Sequence, residues 1–358
     1  MEQETQTRTV GLLYDHVVLE HQPPSGHPER PTRVQGVVDL MQRTGLWDTL
    51  THLPTQPATR AQMERVHLPA YLDFVEAVVQ RGGGRLDESD TVASAGTWRA
   101  VTSAAGCAIS AVDAVMASTV EAAFALTRPP GHHAPSDRAM GFCVVNHAAV
   151  AAAHAIAAYG LSRVLLVDFD VHHGNGTQDI FYSDPHVLYF STHQSPAYPF
   201  RGMVEETGEG AGEGFTVNVP LPALIDDAGF ARVFDDTLSP LAARFQPELI
   251  IASAGYDAHW RNRAYVQGIR EQMTVSGLAG LAARLQALAD THCPGRLVGI
   301  LEGGYDLEAL ALGVCATLRT WQGSEAISDP IGPAPDFTSP PDITDLIARI
   351  QRVHGLEQ

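Results

Sequence analysis

The sequence predicts an α/β fold, a central and mainly parallel β-sheet flanked by helices on both faces. Three observations lead there. Short apolar runs rich in β-branched residues recur along the 358 residues, stretches with helical spacing separate many of them, and several runs end in clusters of polar side chains. Strands alternating with helices are joined by crossovers, and crossovers make strands parallel and bury them on both faces.

Taken in order, Val10 to Tyr14 is the first strand. Pro31 to Thr44 is a helix with Val34, Val37, Val38 and Met41 on one face and Gly45 beyond its end. Leu68 to Gln80 and Gly96 to Ala117 read as helices, Val120 to Leu126 as a strand, and the alanine-rich Phe142 to Tyr159 as a helix. Arg163 to Phe169 (RVLLVDF) is a continuous apolar run of the kind buried on both faces. His186 to Ser191, Thr216 to Val219, Leu249 to Ser253 and Leu297 to Leu301 are further strands, with helices at Asp227 to Phe245, Val275 to Thr291 and Leu307 to Trp321. Residues 1–323 form one domain. Residues 324–358 are a Pro-rich strap (Ser324 to Pro341) and a short helix, Ile343 to His354, packed on that domain.

Charge is lopsided, 41 acidic against 23 basic residues for a net −18. That argues against nucleic acid as a partner. It either draws cationic substrates or serves solubility. The four cysteines, Cys107, Cys143, Cys293 and Cys315, form no C-x-x-C pair, which fits reduced thiols in a cytoplasmic protein. No signal peptide is visible, and the apolar stretch Val144 to Leu161, interrupted by Asn146, His147 and His154, reads as a buried helix and not a membrane span.

Chemistry concentrates where strands end. LLVDFDVHHGNG (165–176), IIASAGYDAHW (250–260) and GILEGGYD (299–306) are apolar strands followed by polar residues, and LTRPPGHHAP (126–135) follows another strand. In open parallel sheets ligands bind outside the carboxyl ends of strands. Asp168, Asp170 and His172 recur at a spacing of two, so a continuing strand would aim them one way. Carboxylates plus an imidazole suit a divalent metal such as zinc, and Asp257 supplies a third ligand. Three protein ligands leave one position open for water, as in catalytic zinc sites. His132 and His133 are adjacent, so meeting one substrate requires an unusual backbone; otherwise they are a surface pair. Gly303-Gly304 before Tyr305 lets the backbone approach closely and turn that hydroxyl inward.

RPPGHHA, GFCVVNHAAVAA, VDFDVHHGNGTQDIFY, SAGYDAHW and LEGGYD, in this order and after GHPERPTR (26–33), resemble the histone deacetylase superfamily, nearest its class II and bacterial amidohydrolase branch. The resemblance covers roughly residues 10 to 320. It implies a single-domain arginase/deacetylase fold with one catalytic zinc on Asp170, His172 and Asp257. It implies His132 and His133 as the catalytic pair, with Asp168 orienting His132 and Asn175 facing His133, and Tyr305 as the group that polarises the substrate carbonyl. Gly141, Phe142 and Tyr198 would line the acyl tunnel, Asp90 would grip substrate at the rim, and Arg30 would border an internal channel. A structural potassium ion is implied at Asp168, Asp170, His172, Ser191 and Thr192, with a second site near Phe181, Asp184 and Val187. The substrate would be an acylated amine, an acetyl-lysine peptide or an acetylpolyamine, and relatives are often homo-oligomers.

This chain departs from the family at two loops. NRAYVQGIREQM (262–273) is longer and more basic than usual, with Ala264 near the position where polyamine-selective relatives carry a glutamate and Glu271 too far along to equate. Phe200-Arg201-Gly202 replaces a small loop, either harmlessly or to narrow the tunnel or take a larger or anionic acyl group. His173, His193 and His259 sit beside site segments. His147 reads as a core residue, and His16, His21, His52, His67 and His292 as surface residues. The rivals are an arginase-like ureohydrolase with two manganese ions, which needs more bridging carboxylates than Asp257 alone offers, and an inactive acyl-lysine binder, which would have lost the residues retained here.

Overall fold

The computed structural model describes residues 8–324 and 327–357. The apolar runs become strands because nearly every residue in them is buried. The strands are β1 (Val10–Leu13), β2 (Thr51–His52), β3 (Gly83–Arg85), β4 (Val92–Ser94), β5 (Ala122–Ala125), β6 (Val164–Asp168), β7 (Val187–Gln194), β8 (Thr216–Leu221), β9 (Leu249–Ala254) and β10 (Leu297–Leu301). β3 and β4 pair as a separate antiparallel hairpin. The other eight form one sheet in the order β2-β1-β5-β10-β9-β6-β7-β8. Every ladder in it is parallel.

Alternate residues of each strand enter different cores. Leu165 and Val167 of β6 face one side with Phe124, Ile250 and Phe190, whereas Val164 and Leu166 face the other with Ala123, Ile251 and Tyr189. Helices Thr32–Arg43, Val275–His292 and Leu307–Trp321 cover the first face; Thr97–Met116 and His147–Tyr159 cover the second. Thr97–Met116 is long and apolar enough to cross a membrane, but most of it is buried in this second core. All four cysteines are free and buried.

Register brings the site segments together. Asp168 pairs with Ser253, Ser253 with Ile300, and Ile300 with Ala125. The four central strands therefore end at one level, and the loops after β5, β6, β9 and β10 leave side by side.

The alanine-rich helix begins at His147, not Phe142. Asn146 caps it by accepting from Ala149 N at 2.9 Å, and Phe142 has φ 67°, which a helix does not admit. The stretch Asp227–Phe245 is helical but broken by a π turn at Phe234–Leu238, just before Pro240, whose missing N–H cannot complete the α ladder. At the carboxyl end, helix Thr344–Val353 buries Ile347 and Ile350 in the first core. The strap before it is tied to the 260–273 loop: Trp260 Nε1 donates to Gly332 O at 2.9 Å, and Gln272 exchanges two hydrogen bonds with the Thr338 backbone.

Glu271 lies buried under that loop. One oxygen accepts from Ile225 N at 2.7 Å, and the other has no partner among the described residues. Burial pushes its carboxyl well above the ordinary 4.5. The folded chain thus holds this proton more tightly than the unfolded chain, and stability falls as pH rises from about 4.5 through the raised value. Glu271→Gln should flatten that slope, melting above the wild type at pH 8 and losing the advantage at pH 5. Parallel melting curves at both pH values would show the carboxylate to be otherwise compensated.

Candidate active site

Asp168, Asp170 and His172 do not share one strand face. β6 stops at Asp168, and Asp170 and His172 lie on the bend that follows. They converge through local bonds, as Asp170 N donates to Asp168 Oδ1 at 3.2 Å and His172 N to Asp170 Oδ1 at 2.9 Å. Nδ1 of His172 then lies 3.0 Å from Asp170 Oδ1 and 3.3 Å from Asp257 Oδ2. All three residues are buried, and one ligand atom from each lies within 4.8 Å of the others. Asp257 Oδ1 accepts from Val171 N at 3.0 Å, whereas Oδ2 accepts no well-directed hydrogen bond. A buried carboxylate oxygen without a donor is costly, and a cation at this point would satisfy it.

A second cluster, His132, Cys143 and Glu302, has metal-like proximity but different chemistry. Glu302 Oε2 accepts from Gly131 N at 2.6 Å and His132 N at 3.1 Å, and Oε1 from Ser253 Oγ at 3.2 Å. One oxygen is occupied in holding backbone and the other by the Ser253 hydroxyl. Among the described residues, Asp170, His172 and Asp257 are thus the one cluster with a ligand to spare.

The unusual backbone required of the two histidines is a tight turn. Ala134 N donates to Gly131 O at 3.0 Å, with His132 and His133 at the central positions, and Glu302 fastens the start of the turn from β10. The rings lie 4.1 Å apart between centroids. Nδ1 of His132 is 3.1 Å from Asp168 Oδ2, and Nδ1 of His133 is 2.9 Å from Asn175 Oδ1. Burial would lower both pKa values. For His132 the Asp170 and Asp168 carboxylates overcome it and raise the value to about 10. For His133 burial and the charges on His132 and His172 act together, and it falls well below the ordinary 6.5. Asn175 also fixes the tautomer. Its amide nitrogen donates to His133 O at 3.3 Å, so Oδ1 faces Nδ1–H and the lone pair stays on Nε2.

The profile of the histone deacetylase domain matches residues 27–321. The chain belongs to the histone deacetylase family. It is 37% identical over 333 residues to a probable deacetylase of Archaeoglobus fulgidus, covering 91% of this chain and 90% of that one. It is 35% identical to a histone deacetylase-like amidohydrolase of Pseudomonas aeruginosa, covering 91% and 89%. It is 38% identical to the polyamine deacetylase HDAC10 of Homo sapiens, covering 85% of this chain and 46% of that protein. The crystal structure of the HDA15 HD domain superposes with a TM-score of 0.85 at 31% identity, covering 97% and 95% of the two chains, so the single-domain deacetylase fold expected from the motifs is the fold observed.

In this histone deacetylase fold, His133, His172 and Tyr305 face one cavity of about 900 Å³. Gly141, Phe142 and Tyr198 form its throat and Asp90 stands at its rim. Tyr198 packs edge-on to His133 at 5.1 Å and Phe142 to Tyr305 at 5.8 Å. A Cβ on Gly141 would lie 2.5 Å from the His133 ring, so the throat admits no side chain there. Burial, opposed by the Arg33 charge and reinforced by Asp257 and Asp170, keeps the Tyr305 hydroxyl protonated well above 10. Ser191, opposite Asp168 across the β6–β7 ladder, bonds His193, and the buried Thr192 hydroxyl has no partner among the described residues.

Several residues were misplaced or missed. Arg30 is exposed, and the buried arginine of that segment is Arg33. Its Nε and Nη2 donate to Gly304 O at 2.6 Å and Glu302 O at 2.5 Å, and its guanidinium lies 4.8 Å from the Tyr305 ring centre. Glu29 binds Arg33 and Arg128 in a buried cluster. Spacing gave no warning of Arg33, because a helix turn sets its depth. His21 and His67 are buried too, bonding Thr97 and Asn146. Arg201 points away from the cavity and makes a two-pronged pair with Asp179, which removes the anionic-acyl reading of that loop. Just before the basic loop Arg261 pairs with Asp306 and Glu308, within it Arg263 pairs with Asp336, and Arg270 is exposed without an ion pair among the described residues. Asn262 was overlooked inside it. Its Oδ1 accepts from Tyr305 N at 2.7 Å and Asp306 N at 2.9 Å, and its amide donates to Tyr256 O at 3.0 Å.

Asn262→Ala strands two buried N–H groups and frees the Tyr305 turn, at a cost of about 2–4 kcal/mol. Turnover should fall about tenfold or more, with metal content unchanged. Unaltered kcat in the variant would mean that Arg33 and the glycines hold Tyr305 without it.

Proposed function

We propose that the chain is a zinc-dependent hydrolase that cleaves the amide of an acylated amine of the acetyl-lysine type. The observation that carries this reading is the division of labour between His132 and His133 above a three-residue ligand set with an unsatisfied carboxylate oxygen. Asp170, His172 and Asp257 would hold the zinc. Bound there, zinc would supply the Lewis acid that polarises the carbonyl and activates water at an open position.

The chain's own groups do the remainder. Nε2 of His133, neutral because its ring is buried beside two other histidines, accepts a proton from water and returns it to the leaving nitrogen. His132, paired with Asp168, keeps its proton and contributes positive charge beside the reacting carbonyl. The Tyr305 hydroxyl donates to the carbonyl oxygen as negative charge develops, a contact worth about 3 kcal/mol. Phe142 and Tyr198 exclude water from the acyl chain. Asp168, Asp170, His172, Ser191 and Thr192 would also hold a potassium ion, whose positive charge would offset the carboxylates behind the zinc ligands. The two-manganese alternative is disfavoured because both Glu302 oxygens of the neighbouring cluster are already hydrogen-bonded, one to two backbone N–H groups and one to the Ser253 hydroxyl. The human relative named a polyamine deacetylase makes acetylpolyamines the second substrate class to assay.

Metal analysis of the purified chain should give one zinc, and Asp257→Asn should lose it; two equivalents of manganese would reverse the assignment. Tyr305→Phe should lower turnover of acetyl-lysine peptides about a hundredfold or more while zinc content holds. Full activity in that variant would remove Tyr305 from the reaction.

A further inference from the structure

The mouth of the cavity carries two aromatic rings that the fold has no packing use for. Phe200 is 77% exposed and Tyr265 44% exposed, on different loops that both line the cavity. Phe200 has φ 61°, a conformation that costs a non-glycine residue free energy and persists only where its surroundings impose it. Those surroundings are on either side of it. Phe200 N donates to Ala197 O at 2.7 Å, Arg201 is pinned to Asp179, and Gly202 N is held by Glu206 Oε1 at 3.0 Å. A Cβ on Gly202 would come within 2.5 Å of His173, so the loop cannot relax inward.

The Tyr265 loop is equally fixed. Tyr265 N donates to Asn262 O at 2.8 Å, and Gln194 at the end of β7 donates to Gly268 O at 2.8 Å and accepts from Arg270 N at 2.7 Å. Outside, Arg263 grips Asp336 of the strap. Both loop backbones are thus held in place before any ligand arrives, which lowers the entropic cost of binding.

The cavity lining contains one carboxylate, Asp90, and no arginine or lysine. Of the arginines on adjoining segments, Arg201, Arg261 and Arg263 are committed to acidic partners, whereas Arg30 and Arg270 are exposed without an ion pair among the described residues and lie outside the lining. A ring face attracts a cation, and so does a carboxylate.

We propose that Phe200 and Tyr265 are specificity-determining residues. They form an aromatic rim that, with Asp90, selects acylated amines whose carrier bears a second positive charge just outside the cavity. This rests on the hydrolase reading above and names its substrate class. The second charge comes from a polyamine's distal ammonium or from a basic residue beside an acyl-lysine.

Two matched substrate pairs distinguish the sources: N-acetylspermidine against an N-acetyl monoamine of equal length, and an acetyl-lysine peptide flanked by arginine against one flanked by glutamine. The zinc-loaded full chain, Phe200→Leu, Tyr265→Leu and the double variant are compared by kcat/KM and by calorimetric Kd. Leucine keeps the apolar bulk and removes the ring face. The wild type should prefer the cationic member of at least one pair, each single variant should reduce that preference about threefold, and the double variant about tenfold. The pair that responds identifies the source. A wild type indifferent to charge in both pairs, or a preference the double variant keeps, overturns the rim. Absent turnover with an intact, ring-dependent difference in Kd would instead overturn the hydrolase reading and leave the rim standing.

Discussion

Three buried carboxylates at the ends of the central strands, Asp170, Asp257 and Glu302, are each bonded to the backbone of a neighbouring loop, and the site depends on that stitching. Asp170 accepts from Gly303 N, Asp257 from Val171 N, and Glu302 from Gly131 N and His132 N. Each of these bonds runs between segments distant in sequence, so no loop after β5, β6, β9 or β10 has its position alone. A charge-assisted bond inside a dry core is short and strong, and leaving either partner unpaired there is costly. Gly303 is part of the same constraint, since a Cβ there would lie 2.2 Å from Asp257 Oδ2.

The same carboxylates set the electrostatics. Asp168, Asp170, Asp257 and Glu302 are all fully buried around His132. Burial outweighs the His132 charge at Glu302 and lifts it to about 7, while His132 is driven up to about 10. A divalent cation held by Asp170, His172 and Asp257 would neutralise that surplus of buried negative charge. It also explains why two adjacent histidines differ: the ring that faces carboxylates keeps its proton, and the ring that faces an amide and other imidazoles loses it.

A second buried ion cluster supports the cavity from behind. Glu29 binds Arg33 and Arg128, and Arg33 spans to the carbonyls of Glu302 and Gly304 beneath Tyr305. Removing one member of such a cluster strands the others, which makes its cost disproportionate to its distance from the reacting atoms. At the opposite side, the strap and Gln194 clamp the 262–273 loop, so the cavity wall is braced by residues from β7 and from the carboxyl end of the chain.

The sequence by itself determined the strand runs, because strands buried on both faces must be apolar throughout. It also determined the site segments, because polar residues following such runs lie at strand ends. His132, His133, Asp170, His172, Asp257 and Tyr305 were legible on those grounds and through the family motifs they compose. Tertiary structure decided how they meet. Asp170 and His172 converge on a bend and not along a strand, the histidines converge through a turn fastened by Glu302, and Tyr305 is aimed by Asn262 and Arg33. Glu302, Asn262 and Arg33 act on backbone atoms of remote segments. Spacing along the chain carries no record of such contacts, because only the register of β5, β10, β9 and β6 brings those segments within hydrogen-bond reach.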